Sequence, residues 1–563
     1  MTILGIKELA TAARLDPKPL PDFLVEIPAL TQQEKLQIVD QALLLMDELY
    51  VHLPFKRAMY AIDPVQSLKL LRHRLPDDLD FHEAMISIFM SVRDLHTNYI
   101  LPQPYRSATA MLPFKLGEYY VDNEPRYIIL ATAVNYKSFR PGVPVTHWNG
   151  TPIARAVKLN ARSQAGGNEA ARHARGLQRM TVRPLMMSLP PTEDWIDVRY
   201  LDADGNALER RFRWNVVRPP VVRLPESSGE DLSADTIGYL MTLGIDTENE
   251  LVNHIIETIF EPKQMQIDED ILRFLKSGPQ SGTRSGASET VSGPDFNKVS
   301  KMPNVFRFNK VNTPKGEIGR IQIRTFGVRD PDAFVAEFVR IASLLPQDRL
   351  VIDVRNNGGG NIIAGEKLLQ TLTDSTIEAE RLHFINTSLV LKMAEATPAW
   401  FSKWLPSLRR AVMTGAIYSQ GLPLIEQEGY NQIGRQYPGK VLLITDAFCY
   451  STTDIFAAGF RDHKIGPILG TADNTGAGGA NVFDWRLVNY LCSRLDDNPI
   501  QLPSSGASFR VAIRRTTRVG ENAGVPLEDL GVEPDEVHRR TLTDLTENDT
   551  ELYAHAADLL EQW

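Results

Sequence analysis

The chain has 563 residues, of which 43% are hydrophobic and 23% are charged, a composition typical of a folded globular protein. At roughly 150 residues per domain, this length predicts about three or four domains. The 61 lysines and arginines against 70 acidic residues give a net charge of −9, which argues against nucleic acid as the main partner. No apolar run reaches the roughly 18 residues that a membrane-spanning helix needs, so we expect no membrane span.

The N-terminal sequence lacks a basic stretch followed by an apolar core, so we expect no signal peptide and a cytoplasmic location. Cys449 and Cys492 are the only cysteines, which suits a reducing compartment and excludes a disulfide framework. Two thiols also cannot form a structural zinc cluster. A structural zinc site built on cysteine is therefore not expected.

Residues 1–105 are predicted to form an N-terminal helical region. Thr31 and Glu34 have the spacing of a capping box, and apolar residues follow them at helical intervals. A second helix is predicted to begin near Asp80. His96 lies at or just after the end of this helix.

The rest of the chain divides by pattern. Residues 106–215 carry short runs such as RYIILAT and WIDVRYL, which predict a small β-rich domain. Residues 216–315 are an irregular insertion, within which 277–294 holds five serines, four glycines and two prolines. This stretch has too little apolar surface to offset the entropy of ordering, so we predict a mobile loop. Residues 316–563 alternate strands with helices, which predicts an α/β core.

Two segments of the predicted core run from a strand through a short turn into a helix. The first contains RNNGGG at 355–360, whose glycines let backbone amides approach an anion closely. Taken alone, this turn is explained more simply as a tight strand-to-helix connection. It lacks the Lys-Ser/Thr pair of a P-loop, and it does not meet the G-x-G-x-x-G spacing of a dinucleotide-binding turn. The second contains Ser451 beside the free amides of a helix start, as a nucleophile with an oxyanion hole requires. The alternative is that Ser451 merely caps the helix.

Together, the two segments resemble peptidase family S41, the C-terminal-processing and tricorn-type serine peptidases. The matching motifs stand in the family's order and at similar separations: RNNGGG at 355–360, STTDIFA at 451–457, GTADNTGAGGAN at 470–481 and EDLGVEPD at 528–535. The resemblance covers about residues 316–545. It implies a ClpP/crotonase-like α/β core, a peptide or protein substrate and no cofactor, and it leaves a homodimer open.

The resemblance also implies roles for individual residues. Ser451 is the expected nucleophile, and the backbone amides of Gly358 or Gly359, together with that of Thr452, are the expected oxyanion hole. Cys449 is a rival nucleophile, because a thiolate is intrinsically more reactive than a hydroxyl. A cysteine in this position is more often a buried thiol at a strand end.

The general base distinguishes the branches of the family. Processing-type members use a lysine about 25 residues after the serine, but position 476 is glycine here and no lysine follows it. Tricorn-type and chlamydial-protease-like members use a histidine in a D-x-H-T-like context and a late glutamate. The segment RDLHTNY at 93–99 resembles that context, with His96 in the position of the histidine. The resemblance thus implies that His96 takes the proton of Ser451 and that Glu528 orients it, directly or through water. In isolation, His96 is explained as a capping or core histidine at a helix end.

Residues 138–153, SFRPGVPVTHWNGTPI, resemble the PDZ segment of these peptidases, so we expect 106–215 to be a PDZ-like domain. Such domains capture an extended peptide at a sheet edge, although Asn149-Gly150 alone is explained by a hairpin turn. A related chlamydial protease is held inactive by an internal segment. The resemblance therefore implies that part of 216–315 covers the active-site cleft or a dimer surface. A surface insertion without regulatory effect is the alternative.

The sequence thus predicts an S41-like serine endopeptidase or oligopeptidase. Two alternatives stay open at this stage. One is an esterase or peptidyl transferase that uses the same acyl-enzyme, and the other is a non-catalytic binding module built on the same core.

Overall fold

The computed structural model describes residues 17–218, 239, 241–277 and 294–563. The predicted loop at 277–294 therefore lies almost entirely outside the described residues. The described chain is a mixed α/β structure, and one large apolar cluster runs through its helical, β-rich and core regions. Packing is thus continuous between the regions that the sequence pattern separates.

The N-terminal region is helical, as predicted. The Glu34 amide donates to Thr31 Oγ1 at 3.2 Å and the Thr31 amide donates to the Glu34 carboxylate at 2.8 Å, which confirms the capping box. The second predicted helix begins at Asp78, two residues before the expected Asp80. The helices of this region are Leu20–Leu24, Gln32–Leu44, a π-helical turn at Leu45–Leu49, Leu53–Tyr60, Pro64–His73 and Asp78–Ser91.

The β-rich region contains the predicted strands, and Trp195–Leu201 pairs with Ala207–Arg213 in the expected hairpin. It also contains two helices that the sequence pattern did not predict, Ile153–Arg162 and Glu169–Gln178. The other strands of this region and those pairing with it are Lys18–Pro19, Thr109–Met111, Phe114–Val121, Glu124–Thr132, Val145–Trp148, Thr151–Pro152, Val182–Pro184 and Asn215–Val217.

The prediction of irregular structure across 216–315 is wrong for the part of the insertion that the structure describes. Leu243–Ile245 is a strand, which we call the covering strand, and two helices follow it at Thr247–Phe260 and Pro262–Ser277. The first helix packs apolar side chains such as Ile255 against the β-rich region. This packing supplies the order that the local sequence pattern did not indicate.

Six strands form the central sheet of the core. Their order is Phe306–Thr313, Gly316–Ile323, Arg349–Asp353, Lys440–Thr445, Ile468–Gly470 and Glu536–Val537. The first two are antiparallel and the remaining neighbours are parallel. The core sheet thus begins at Phe306 rather than at 316. Because the carboxyl ends of parallel strands meet at one edge, both predicted strand–turn–helix segments lie together there.

A second sheet joins the N-terminal region to the core. The strand Asn98–Ile100, just after His96, pairs antiparallel with Ser508–Thr517, which also pairs with Arg381–Phe384 and Ala480–Asp484. This pairing carries His96 to the core sheet's carboxyl edge.

Helices cover the core. The C-terminal helix packs Leu552 and Leu560 against Val351 and Leu442 of the central sheet. None of the helices in the described ranges is long and apolar enough to cross a membrane. The core helices are Pro331–Ala342, Ile362–Gln370, Ser388–Ala396, Pro398–Phe401, Leu405–Thr414, Thr452–Asp462, Trp485–Cys492, Leu542–Thr546 and Thr550–Gln562.

Candidate active site

Ser451 lies at the junction between the strand Lys440–Thr445 and the helix that begins at Thr452. Its φ of 62° and ψ of −119° are a strained conformation for a residue with a side chain. The Asp454 carboxylate holds this turn by accepting from the Ser451 amide at 3.0 Å and from the Gly478 amide at 2.9 Å. Burial raises the pKa of Asp454 to about 7. A strained serine between a strand and a helix is the geometry of a nucleophile elbow.

The structure brings His96 to Ser451 across 355 residues of sequence, with 2.8 Å between His96 Nε2 and Ser451 Oγ. The Asp94 carboxylate fixes the loop by accepting from the His96 amide at 2.7 Å. The Tyr450 ring packs against the imidazole, with 4.5 Å between ring centres, and its hydroxyl accepts from the Leu95 amide at 3.1 Å. Sequence reasoning missed Tyr450, although it directly precedes the serine.

Burial lowers the pKa of His96 well below its ordinary value, and the positive charges of Arg510, Lys56 and Arg175 lower it further. The imidazole is therefore neutral near pH 7. A neutral imidazole carries one proton, so Nε2 accepts from the serine hydroxyl when that proton is on Nδ1. This is the protonation state that a general base requires.

Glu528 does not touch His96. Its Oε1 atom accepts from Lys56 Nζ at 2.6 Å, and its Oε2 atom lies 3.8 Å from His52 Nε2. The carboxylate recorded near His96 Nδ1 is that of Asp94, at 3.9 Å. No direct hydrogen bond joins Glu528 to the imidazole among the described residues. The sequence left open whether Glu528 contacts His96 directly or through a water. Only the contact through a water fits this arrangement.

Lys56 is a second residue of this site that sequence reasoning did not find. It is fully buried on the helix Leu53–Tyr60, and its ammonium also donates to Asp529 at 2.7 Å. Burial alone would lower the pKa of Lys56, but Glu528 and Asp529 outweigh it and raise that pKa. Burial raises the pKa of Glu528, with Asp94 adding to the effect, and Lys56 opposes this shift. A single lysine in an amphipathic helix gives no sequence signal of such a role.

Several buried atoms of this region have no hydrogen-bond partner among the described residues, and they include His96 Nδ1, His52 Nε2 and Glu528 Oε2. Buried polar atoms are normally paired, and a buried water typically satisfies two to four of them. The donor atoms of His52, Asp94 and Glu528 also lie within 4.8 Å of one another, close enough for a metal ion. The Lys56 ammonium already bonded to Glu528 disfavours a second cation there.

The glycine turn places its predicted amides next to the serine. A side-chain carbon at Gly359, whose φ is +101°, would come within 2.8 Å of Ser451 Cβ. The Gly359 amide donates to Asn357 Oδ1 at 2.9 Å and is therefore engaged. The buried amides of Gly358 and Thr452 have no acceptor among the described residues. Unpaired buried amides are rare, and an oxyanion hole requires them.

Cys449, the rival nucleophile, makes contacts away from the imidazole. Its thiol donates to the Val354 carbonyl at 3.1 Å and is fully buried. Burial raises the pKa of this thiol well above its ordinary value, so it is neutral near pH 7. These contacts match the alternative of a buried thiol at a strand end.

The covering strand lies directly over the serine. Leu243–Ile245 pairs antiparallel with Gly359–Asn361, which we call the glycine strand. A side-chain carbon at Gly244 would come within 2.4 Å of Ser451 Oγ, and Ser451 is 0% exposed. A peptide cannot reach the serine hydroxyl in this conformation.

A serine hydroxyl bonded to a neutral imidazole, beside unpaired amides at a helix start, is the arrangement of a serine hydrolase. Residues 317–537 match the model of peptidase family S41. Over these residues the chain is similar to this family of serine peptidases.

Solved structures agree with this assignment at the level of fold. Mature CPAF superposes with a TM-score of 0.62 at 17% sequence identity, over 94% of this chain and 98% of that chain. A point mutant of CPAF gives a TM-score of 0.63 at 17% identity, over 94% of this chain and 97% of that chain. A search of curated proteins finds no match to the sequence.

Replacing Lys56 by methionine should destabilise the protein by about 3–5 kcal/mol, because two buried carboxylates lose the ammonium that pairs with both. Glu528 and Asp529 then retain protons in the folded state, so the free energy of unfolding should fall as the pH rises. Urea unfolding at about pH 6 and about pH 9 measures both effects. Lys464→Met, which breaks an exposed ion pair with Glu521, is the control and should change little. An equally small change at Lys56 would contradict this charge arrangement.

Proposed function

We propose that the chain hydrolyses peptide bonds with Ser451 as nucleophile and His96 as general base. The observation that carries this proposal is the 2.8 Å contact between His96 Nε2 and Ser451 Oγ. Ser451 Oγ attacks the carbonyl carbon of the peptide bond while its proton passes to His96 Nε2. The imidazolium then protonates the leaving amine, and a water activated by the same imidazole hydrolyses the acyl-enzyme.

The tetrahedral intermediate carries a negative oxygen, which needs donors already in place. The amides of Gly358 and Thr452 are assigned this role, since both are buried beside the serine and lack an acceptor. Gly359 is the second choice in the glycine turn, because its amide must first leave Asn357.

Glu528 is assigned to stabilise the imidazolium through a bridging water. The unpaired His96 Nδ1 and Glu528 Oε2 atoms support this assignment, as does the absence of a direct bond among the described residues. Lys56 then has the role of a positioning residue. Its ammonium opposes the rise in the pKa of Glu528 and so favours the charged form of that carboxylate.

The parallel core sheet, with helices at its carboxyl edge, supports a ClpP/crotonase-like core. The strands and the hairpin of 106–215 support a PDZ-like domain. Assays with peptides of different lengths would separate an endopeptidase from an oligopeptidase.

The conformation described is assigned as a covered, inactive state. The covering strand fills the strand position beside the glycine strand and leaves no space at Ser451 Oγ. This position favours regulation by the insertion over the alternative of a surface insertion without effect. Activity then requires the covering strand to leave.

Ser451→Ala should abolish hydrolysis, with a loss of at least about a thousandfold in kcat/KM, and leave the fold intact. Only the attacking oxygen is removed. Cys449→Ala is the matched control and should keep most activity, because that thiol is neutral and bonded elsewhere. Labelling of each chain by a fluorophosphonate probe after limited proteolysis, with circular dichroism as a folding control, measures the difference. Labelling that survives in Ser451→Ala and is lost in Cys449→Ala would reverse the assignment.

His96→Ala should lower turnover by orders of magnitude, and Glu528→Gln should cost less, because it acts through the imidazole. Activity of the wild-type chain should disappear only as the pH falls through the pKa of His96, which burial lowers below its ordinary value. The acid limb of kcat/KM should therefore lie below about pH 6.5. A profile that rises only above about pH 9 would point to a different base.

Cleavage within 277–294 should raise activity, because it releases one end of the segment that bears the covering strand. The Ser/Gly-rich composition makes this stretch the expected site of a first cut. Limited proteolysis, followed by assays against a peptide library, tests the prediction. The Ser451→Ala chain treated in the same way controls for the added protease. A clean cut that leaves turnover unchanged would favour an insertion without regulatory effect.

A further inference from the structure

The covering strand is held largely by groups that would meet any peptide in its place. The Ile245 carbonyl accepts from Arg510 at 2.6 Å, and the Leu243 carbonyl accepts from Asn481 Nδ2 at 2.6 Å. These contacts and the pairing with the glycine strand use backbone oxygens and amides. Every peptide carries those groups, so none of these contacts selects a sequence.

Asp246 is held differently, through its side chain. Its carboxylate forms an ion pair with Arg175, and both side chains are 1% exposed. The Asp246 amide donates to the Gly358 carbonyl at 2.7 Å, so the pairing with the glycine turn continues to this residue. Asp246 stands two residues after Gly244, which lies against Ser451 Oγ.

Arg175 belongs to the wall of the site rather than to the insertion. It lies on the helix Glu169–Gln178, and its guanidinium is 5.7 Å from the ring centre of Phe448 and 5.8 Å from that of Tyr450. Its Nε and Nη1 atoms have no partner among the described residues, where Asp246 is its only ion-pair partner. Departure of the covering strand therefore leaves a buried guanidinium without a carboxylate, which is costly until another one arrives.

We propose that Arg175 forms a substrate subsite for an acidic side chain. A peptide binds as a strand antiparallel to the glycine strand, in the direction of the covering strand. Its aspartate or glutamate lies two residues after the residue that faces Ser451, and it replaces Asp246 on Arg175. The substrate class is thus peptides with an acidic residue at that position. This inference rests on the proposed peptidase function and adds a sequence preference to it.

Three variants separate the subsite from the covering strand. Asp246→Asn breaks the ion pair and leaves Arg175 in place. Adding Arg175→Gln to that variant removes the cation too, and a neutral pair avoids a buried unpaired charge, so this double variant should fold. Adding Arg179→Gln instead is the matched control, because it breaks the neighbouring buried ion pair with Glu248.

The measurement is kcat/KM for two peptides that differ only by aspartate or asparagine at the proposed position. After limited proteolysis, the Asp246→Asn chain should prefer the aspartate peptide by about tenfold or more, because a charge-assisted bond is at stake. The preference should vanish on adding Arg175→Gln and persist on adding Arg179→Gln. Equal rates for both peptides in the Asp246→Asn chain would overturn the subsite and leave the peptidase function standing.

A binding assay keeps the two proposals distinguishable. After the same limited proteolysis, fluorescently labelled forms of the same peptides are titrated against a chain with Ser451→Ala and Asp246→Asn. Tighter binding of the aspartate peptide, lost on adding Arg175→Gln, would support the subsite even if no variant hydrolysed either peptide. Equal binding of both peptides would overturn it. Absence of hydrolysis with selective binding would count against the proposed chemistry alone.

Discussion

The hydrogen bond between His96 and Ser451 depends on the second sheet more than on either residue's own loop. His96 lies far from the core strands in sequence. The pairing of Asn98–Ile100 with Ser508–Thr517 brings the helical region that carries His96 to the core. A displacement of about 1 Å at this pairing would break the contact between imidazole and hydroxyl. The site is therefore as rigid as the junction of the two regions.

The charges around the imidazole act as one set. Lys56, Arg175 and Arg510 each lower the pKa of His96, while each is held by acids or carbonyls. The arrangement keeps the base neutral, and the Lys56 ammonium favours the charged form of the nearby Glu528 carboxylate. Departure of the covering strand removes the Asp246 carboxylate from this set. Uncovering thus changes the electrostatics of the site as well as its access.

Most of the core was predictable because its signals are local. The strands, the glycine turn and the position of Ser451 follow from short patterns, and those patterns also supported the family resemblance. The covering strand and Lys56 were not predictable in this way. Three residues, Leu243–Ile245, are too few to show alternation, and they become a strand only by pairing with residues more than a hundred positions away. Lys56 acquires its role only when Glu528 and Asp529 reach it from the far end of the chain.

The strained backbone of Ser451 has a consequence for how this protein tolerates change. With φ at 62°, this position suits glycine better than any residue with a side chain, so replacing the serine by glycine should relieve strain. The most stable sequence of this fold is then one without the serine. Selection for stability alone would favour an inactive protein that lacks this serine. Only selection for catalysis retains the strained residue.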